Sequence, residues 1–266
     1  MLQKYDTLRY FIELSYFGKP YHGWQKQPNA ETVQQTIEEA LSTILREPLT
    51  IMGAGRTDTG VHASQMFAHV DIPDLAFAKL LDNSADSNCN HLTKKLNSLL
   101  PPSIAIKRIF KVTPEAHTRF DATKRSYTYR IAKNKNPFTT DLAFQCRYPL
   151  DVSAMNEAAA ILLTYTDFEC FSKSNTAVNT YLCTISEARW IAVEDELHFI
   201  ISADRFLRNM VRAIVGTLIE IGQGKHEPSW MHEVINSKNR NIAGTSVPAH
   251  GLYLTRVSYP ETIVKQ

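Results

Sequence analysis

The groups best suited to chemistry are concentrated in Gly53-Ala54-Gly55-Arg56-Thr57-Asp58-Thr59-Gly60-Val61-His62-Ala63: a carboxylate, a guanidinium and two small hydroxyls set among glycines. Three glycines within eight residues describe a backbone that bends sharply or meets a ligand closely. Taken alone, Asp58 is ordinarily an Asx-turn residue. With Arg56 and two small hydroxyls beside it, it is also a candidate for carboxylate chemistry. The glycine spacing is G-x-G-x-x-x-x-G, not the G-x-G-x-x-G of dinucleotide loops. The segment after this loop reads as a strand, so no helix N-terminus would meet a pyrophosphate, and a nucleotide-dependent oxidoreductase is disfavoured.

Two further segments carry candidate groups. In Lys124-Arg125-Ser126-Tyr127-Thr128-Tyr129-Arg130 the two tyrosines share one strand face. Such a pair is usually cross-strand packing; bordered by cations, it is also a flat surface on which a base can stack. In Phe206-Leu207-Arg208-Asn209-Met210-Val211-Arg212-Ala213-Ile214-Val215-Gly216, Arg212 lies about 110° from the centre of the apolar stripe at helical spacing. A helix-edge Arg is usually solvated. The alternative is a charge turned into a cleft and paired with a carboxylate.

These segments must be positioned by a mixed set of elements. Leu8, Tyr10, Ile12 and Leu14 alternate over Thr7–Ser15 and predict a half-buried strand. A long loop rich in Gly, Pro and aromatics follows over 16–28, more than a simple turn. Thr32 with Gln35 reads as a capping box, opening a helix that Pro48 stops. Further strands are expected over 66–72, 104–112, 125–132 and 251–257, with an antiparallel pair at 184–193 and 196–203. Helices are expected in two pieces within 75–99, over 153–165, from about Arg205 to Gly222, and over 228–235. The pattern predicts an α+β fold of two α/β halves with mixed, mainly antiparallel sheets flanked by helices. The double proline Pro101-Pro102 places a boundary nearby: 1–105 carries the Asp58 loop, 106–266 the Tyr strand and the Arg helix.

Composition bounds the class. With 44% hydrophobic and 21% charged residues, the chain is an ordinary globular sequence and not a disordered one. No apolar run is long enough to span a bilayer and the first residues lack a signal-like apolar core, so the expected location is the cytoplasm, with no membrane partner. The four cysteines form no C-x-x-C pair and there is no H-E-x-x-H, so buried reduced thiols and no metal site are expected. Net charge is only +2, but its distribution is uneven. Lys107, Arg108, Lys111, Arg119, Lys124, Arg125, Arg130, Lys133 and Lys135 are opposed over that stretch only by Glu115 and Asp121. That is either a solvated surface or a phosphate-contacting stripe.

Together these segments resemble the bacterial tRNA pseudouridine synthase A family over nearly the whole chain. The likeness runs through Gly23-Trp24-Gln25-Lys26-Gln27-Pro28, Thr32-Val33-Gln34, the Gly55–Ala63 segment and Leu96-Asn97-Ser98-Leu99-Leu100-Pro101. It continues through Ala116-His117-Thr118-Arg119-Phe120, Tyr127-Thr128-Tyr129, Asp167-Phe168, Met210-Val211-Arg212 and Gly251-Leu252-Tyr253-Leu254. It departs from the usual pattern at Phe17, Thr59, Ala116, Thr118 and Asn209, where the family often has Asp, Ala, Phe, Ala and His.

The resemblance implies an isomerase that converts uridine to pseudouridine at positions 38, 39 and 40 of the tRNA anticodon stem-loop. It implies no cofactor, a homodimer and an active site in a basic cleft between the two halves. Asp58 is then the nucleophile or base, because breaking a glycosidic bond builds positive charge that an adjacent carboxylate must meet. Arg212 would favour its ionised form, and Tyr127 would stack on the flipped uracil and help remove the C5 proton. Arg56 would enter the vacated space. Gln25, His62, Arg119, Lys124 and Arg125 are expected substrate contacts. The alternative is a non-catalytic RNA-binding protein of the same architecture, which needs the basic stripe and the Tyr platform but not Asp58.

Overall fold

The computed structural model describes residues 7–73, 89–173 and 179–264. The chain divides into two compact units, one running up to Thr123 and including the C-terminal segment from Arg256, the other spanning Lys124–Thr255. The boundary expected at 105/106 falls inside a strand of the first unit.

In the first unit, β1 (Thr7–Tyr16) lies between β3 (His62–Pro73) and β4 (Ile104–Lys111), antiparallel to both, and short β2 (Ile51–Gly53) pairs with β3. Helices α1 (Val33–Leu45) and α2 (Asn90–Leu99) pack on each other. The first helical piece expected within 75–99 lies outside the described residues; α2 is the second. β1 is not half-buried as its alternation suggested. Tyr10 through Leu14 are all buried. As a central strand it has both faces covered: Phe11 sits among Phe67, Phe110 and Tyr259 at centroid distances of 6.5, 5.9 and 5.4 Å. Glu13 is tolerated there because Arg108 Nε donates to it at 2.6 Å and Gln65 Nε2 at 2.8 Å.

Thr32 caps α1 as expected, its hydroxyl accepting from Gln35 N–H at 3.3 Å. The Gln35 side-chain amide donates to Glu39 Oε1 at 2.8 Å, one turn further along the helix. A left-handed Arg46 ends the helix, two residues before Pro48.

In the second unit, β5 (Lys124–Ala132) pairs antiparallel with β8 (Glu196–Ala203), which pairs with β7 (Ile185–Val193); two-residue β6 (Phe144–Gln145) runs parallel to β5. Helix α3 (Val152–Ile161) packs on α4 (Met210–Gly222), on α5 (Trp230–Ser237) and on β7. Strand β9 (Leu252–Ser258) begins in this unit and ends in the C-terminal segment of the first, to which the short α6 (Glu261–Val264) also belongs. The fold is α+β with mixed, mainly antiparallel pairing. Helix α4 begins five residues later than expected from Arg205. Asn209 takes a left-handed conformation (φ 66°) and breaks the pattern there.

Candidate active site

The Asp58 loop is a bend that other backbone holds in place. Trp24 N–H donates to Thr57 O at 3.2 Å, and Val61 N–H to Asp58 O at 3.1 Å. Two glycines of the preceding loop make this approach possible. Gly23 has φ +90°, and a Cβ there would stand 2.5 Å from Thr57 O. A Cβ on Gly18 would stand 2.0 Å from Val61 O. Side chains complete the clasp. The Tyr16 and Thr57 hydroxyls are 2.8 Å apart, and Gly18 N–H donates to His62 Nδ1 at 2.9 Å. The Phe17 and His62 rings stack at 4.9 Å. Trp24 is buried and lies against Gly53, where an added Cβ would meet its ring at 2.5 Å. The clasping loop is tied in turn to α1: Gln34 Oε1 accepts from Lys26 N–H, and Gln34 Nε2 donates to Ile51 O and to buried Glu38. Glu38 also accepts from Ile51 N–H at 3.0 Å, so one helix face fixes both the clasping loop and the strand that leads into the Asp58 loop.

Within this frame Asp58 is half-buried and Arg56 exposed. Gln25 and Arg119 are exposed on the same unit. His62 is only 1% exposed and serves the clasp through its ring and Nδ1. The loop therefore presents Asp58 and Arg56 while burying Thr57 and His62.

The second unit holds the other candidates on regular elements. Tyr127 is half-buried on β5 opposite Ile201, with the Phe206 ring edge-on at 5.1 Å and 86°. Tyr129, on the same face, is fully buried, and its hydroxyl donates to Pro248 O at 2.9 Å. Burial drives its phenol far above the ordinary pKa, against the lowering effect of Arg212. The two tyrosines thus differ in kind: Tyr129 is core and Tyr127 reaches the surface. Gly251 makes room for the Tyr129 ring, where an added Cβ would lie 2.7 Å from Cζ.

Arg212 is half-buried on α4, and its Nε–H donates to Val247 O at 2.7 Å while Val247 N–H donates back to Arg212 O at 3.2 Å. The segment carrying Val247 is seated on the helix at Gly216, where a Cβ would stand 1.9 Å from Thr245 O. Lys124 and Arg125 are half-buried at the start of β5, and Arg125 donates to Asp204 O at 2.8 Å.

The family model described as tRNA pseudouridine synthase matches residues 158–260. A tRNA pseudouridine synthase A of Porphyromonas gingivalis is 50% identical over 257 residues, covering 96% of this chain and 98% of its own. That of Parabacteroides distasonis is 51% identical over 259 residues, covering 96% and 97%. This chain belongs to the tRNA pseudouridine synthase A family. The more distant synthase A of Bacillus licheniformis keeps 36% identity over 257 residues.

Spacing and residue type do not announce the glycine clasp at Gly18 and Gly23, the Gln34–Glu38 tie or the Val247 segment. Only the unusual length and composition of the loop over 16–28 signalled the first. The four cysteines are buried free thiols. Among the described residues no helix is long and apolar enough to cross a membrane.

Proposed function

We propose that this protein isomerises uridine to pseudouridine at positions 38, 39 and 40 of the tRNA anticodon stem-loop, with Asp58 as the acting carboxylate. The reading is supported by family membership together with one observation: a half-buried Asp58 on a loop fixed by backbone contacts at Thr57 and Val61. A preorganised carboxylate suits a reaction in which the N1–C1′ bond breaks and positive charge develops at the sugar. The uracil turns, C5 bonds to C1′, the C5 proton leaves and N1 gains one. Atoms and oxidation state are conserved, so the chemistry requires no redox cofactor.

In this reading Asp58 acts as nucleophile or base. Tyr127 offers its ring to the released uracil and its phenol to the C5 proton. Arg212 supplies fixed positive charge that favours an ionised carboxylate. Arg56 fills the space the flipped base leaves. Gln25, Arg119, Lys124 and Arg125 contact the RNA, while His62 acts through the loop it buttresses. The protein works as a homodimer in the cytoplasm, which light scattering and cell fractionation check.

The deciding experiment maps pseudouridine in tRNA from a deletion strain and from the same strain complemented by wild-type or Asp58→Asn protein. Loss at positions 38–40, restored only by wild type, is the expected result. Restoration by Asp58→Asn would instead favour an RNA-binding role without catalysis at this residue.

A further inference from the structure

We propose that the ring of Phe120 is a stacking surface for an unpaired base of the tRNA substrate, with the Arg119 guanidinium beside it for a neighbouring phosphate. The inference rests on the tRNA reading above and adds a residue that reading does not use.

Phe120 is 74% exposed. An exposed aromatic on a loose loop would call for no explanation, but this one sits on a turn tied from several sides. His117 N–H donates to Asp121 Oδ2 at 2.7 Å, and Asp121 N–H to His117 O at 3.0 Å. His117 Nδ1 accepts from Arg119 N–H at 3.1 Å and Phe120 N–H at 3.3 Å. Beneath the turn, Thr118 is fully buried. Its hydroxyl donates to Met52 O at 2.7 Å and lies 2.9 Å from His69 Nδ1. Tyr259 donates to Thr118 O at 2.6 Å, and Arg9 to Ala116 O at 3.0 Å.

All of these bonds fix the backbone under a ring that itself buries little. The ring is not bare, however. The His117 imidazole lies 4.2 Å from it at 33°, and the Arg119 Cζ is 5.7 Å from its centroid. An aromatic face extended by an imidazole and flanked by a guanidinium matches a nucleotide, which offers a π-face and a phosphate together. The groups against the ring are an imidazole and a guanidinium, not the apolar side chains that a protein-binding patch gathers at its centre. Holding the turn in advance lowers the ordering cost of binding.

The test uses the full-length protein and an unmodified tRNA transcript, comparing Phe120→Ala, Phe120→Leu, Phe120→Trp and Arg119→Ala by anisotropy across a salt series. Single-turnover pseudouridine formation, thermal melts and light scattering accompany it. Phe120→Ala and Phe120→Leu should each raise Kd about 5–100-fold, and Phe120→Trp should stay within about twofold of wild type. All three should melt with wild type. The salt slope should be unchanged by the Phe120 variants and fall by about one in Arg119→Ala.

Phe120→Ala binding within about twofold of wild type would overturn the proposal. So would Phe120→Leu binding as wild type, which would mean generic apolar contact, or a changed oligomeric state with unchanged RNA affinity. Normal wild-type conversion with a Phe120-independent Kd removes the stacking surface and leaves the enzyme reading intact. Phe120-dependent tRNA binding without any conversion by wild type does the reverse.

Discussion

The Asp58 loop and the Tyr127–Arg212 region hold their candidate side chains in place by different means. Asp58 sits where no regular element runs, and its backbone is held by residues far earlier in the chain, through Gly18, Gly23 and Trp24. Tyr127 and Arg212 ride on a strand and a helix whose ladders would form around many sequences, and one segment, carrying Val247 and Pro248, ties both Arg212 and Tyr129. A loop site therefore depends on individual close approaches that a single Cβ can spoil. A site on regular elements depends on which side chain faces out, and tolerates neighbouring changes better.

The largest effect expected is at the tip of the loop. Asp58→Asn should cut turnover by at least about 10³-fold while tRNA affinity stays within about threefold, since affinity comes mainly from phosphate contacts. Tritium release from C5-labelled uridine and filter binding, measured together, check both halves. Activity above a tenth of wild type would remove Asp58 from the chemistry.

On the other side of the comparison, Tyr127→Phe keeps the ring and loses the hydroxyl. Its single-turnover rate should fall about 10²-fold or more, with binding nearly unchanged. Tyr129→Phe should cost about 0.5–1.5 kcal/mol of stability through the lost bond to Pro248 O, and little in rate. Equal, near-wild-type rates for the two variants would return the pair to packing alone.

The contrast itself is tested at two glycines. Gly23→Ala must adopt a left-handed φ of +90° with its Cβ 2.5 Å from Thr57 O. It should cost about 1–3 kcal/mol and slow catalysis by up to about 10²-fold through displacement of the loop. Gly55, inside the same motif, has nothing within 4 Å of its would-be Cβ. Gly55→Ala should therefore melt with wild type. A Gly23→Ala enzyme with normal rate and melting temperature would show that the clasp does not position Asp58.

The regular elements were the legible part of the chain. β5, the β7–β8 pair and the apolar stripe of α4 all follow from spacing, because period 2 and period 3.6 are written locally. The Asp58 motif was legible as a type of loop, but its support was not. The clasp is made by main-chain atoms distant in sequence, and a glycine's reason for being glycine lies in a partner that spacing does not name. β1 looks half-buried in sequence because alternation marks only one face, whereas the aromatic cover on the other comes from Phe67, Phe110 and Tyr259. His62 read as a ligand contact from its motif, yet Gly18 and Phe17 engage its ring from within the fold.

The smallest expected effect extends the comparison to acid. The turn over 117–121 leans on imidazoles that must stay neutral. Burial, with Arg9 adding to it, lowers His69 from 6.5 to about 4, and His117 is lowered for the same two reasons. Asp71 and Asp121 pull His69 the other way but do not prevail. A histidine depressed in the fold contributes its stability in full above the unfolded value of 6.5, and that contribution is lost as pH falls towards about 4. Over this window the unfolded chain takes up the proton first. The ties of the second unit are of another kind: Arg212 to a carbonyl, a buried phenol to a carbonyl, and Glu196 held below its ordinary pKa by Arg130. Stability against urea should therefore fall by roughly 1 kcal/mol per pH unit as pH drops from about 6 to 5, and His69→Gln should remove a large share of that slope. Hydrogen exchange at pH 5 should rise at Thr118 and Phe120 before it rises along α4. Equal acid sensitivity in both regions, or an unaltered slope in His69→Gln, would mean that the first unit does not depend on neutral imidazoles.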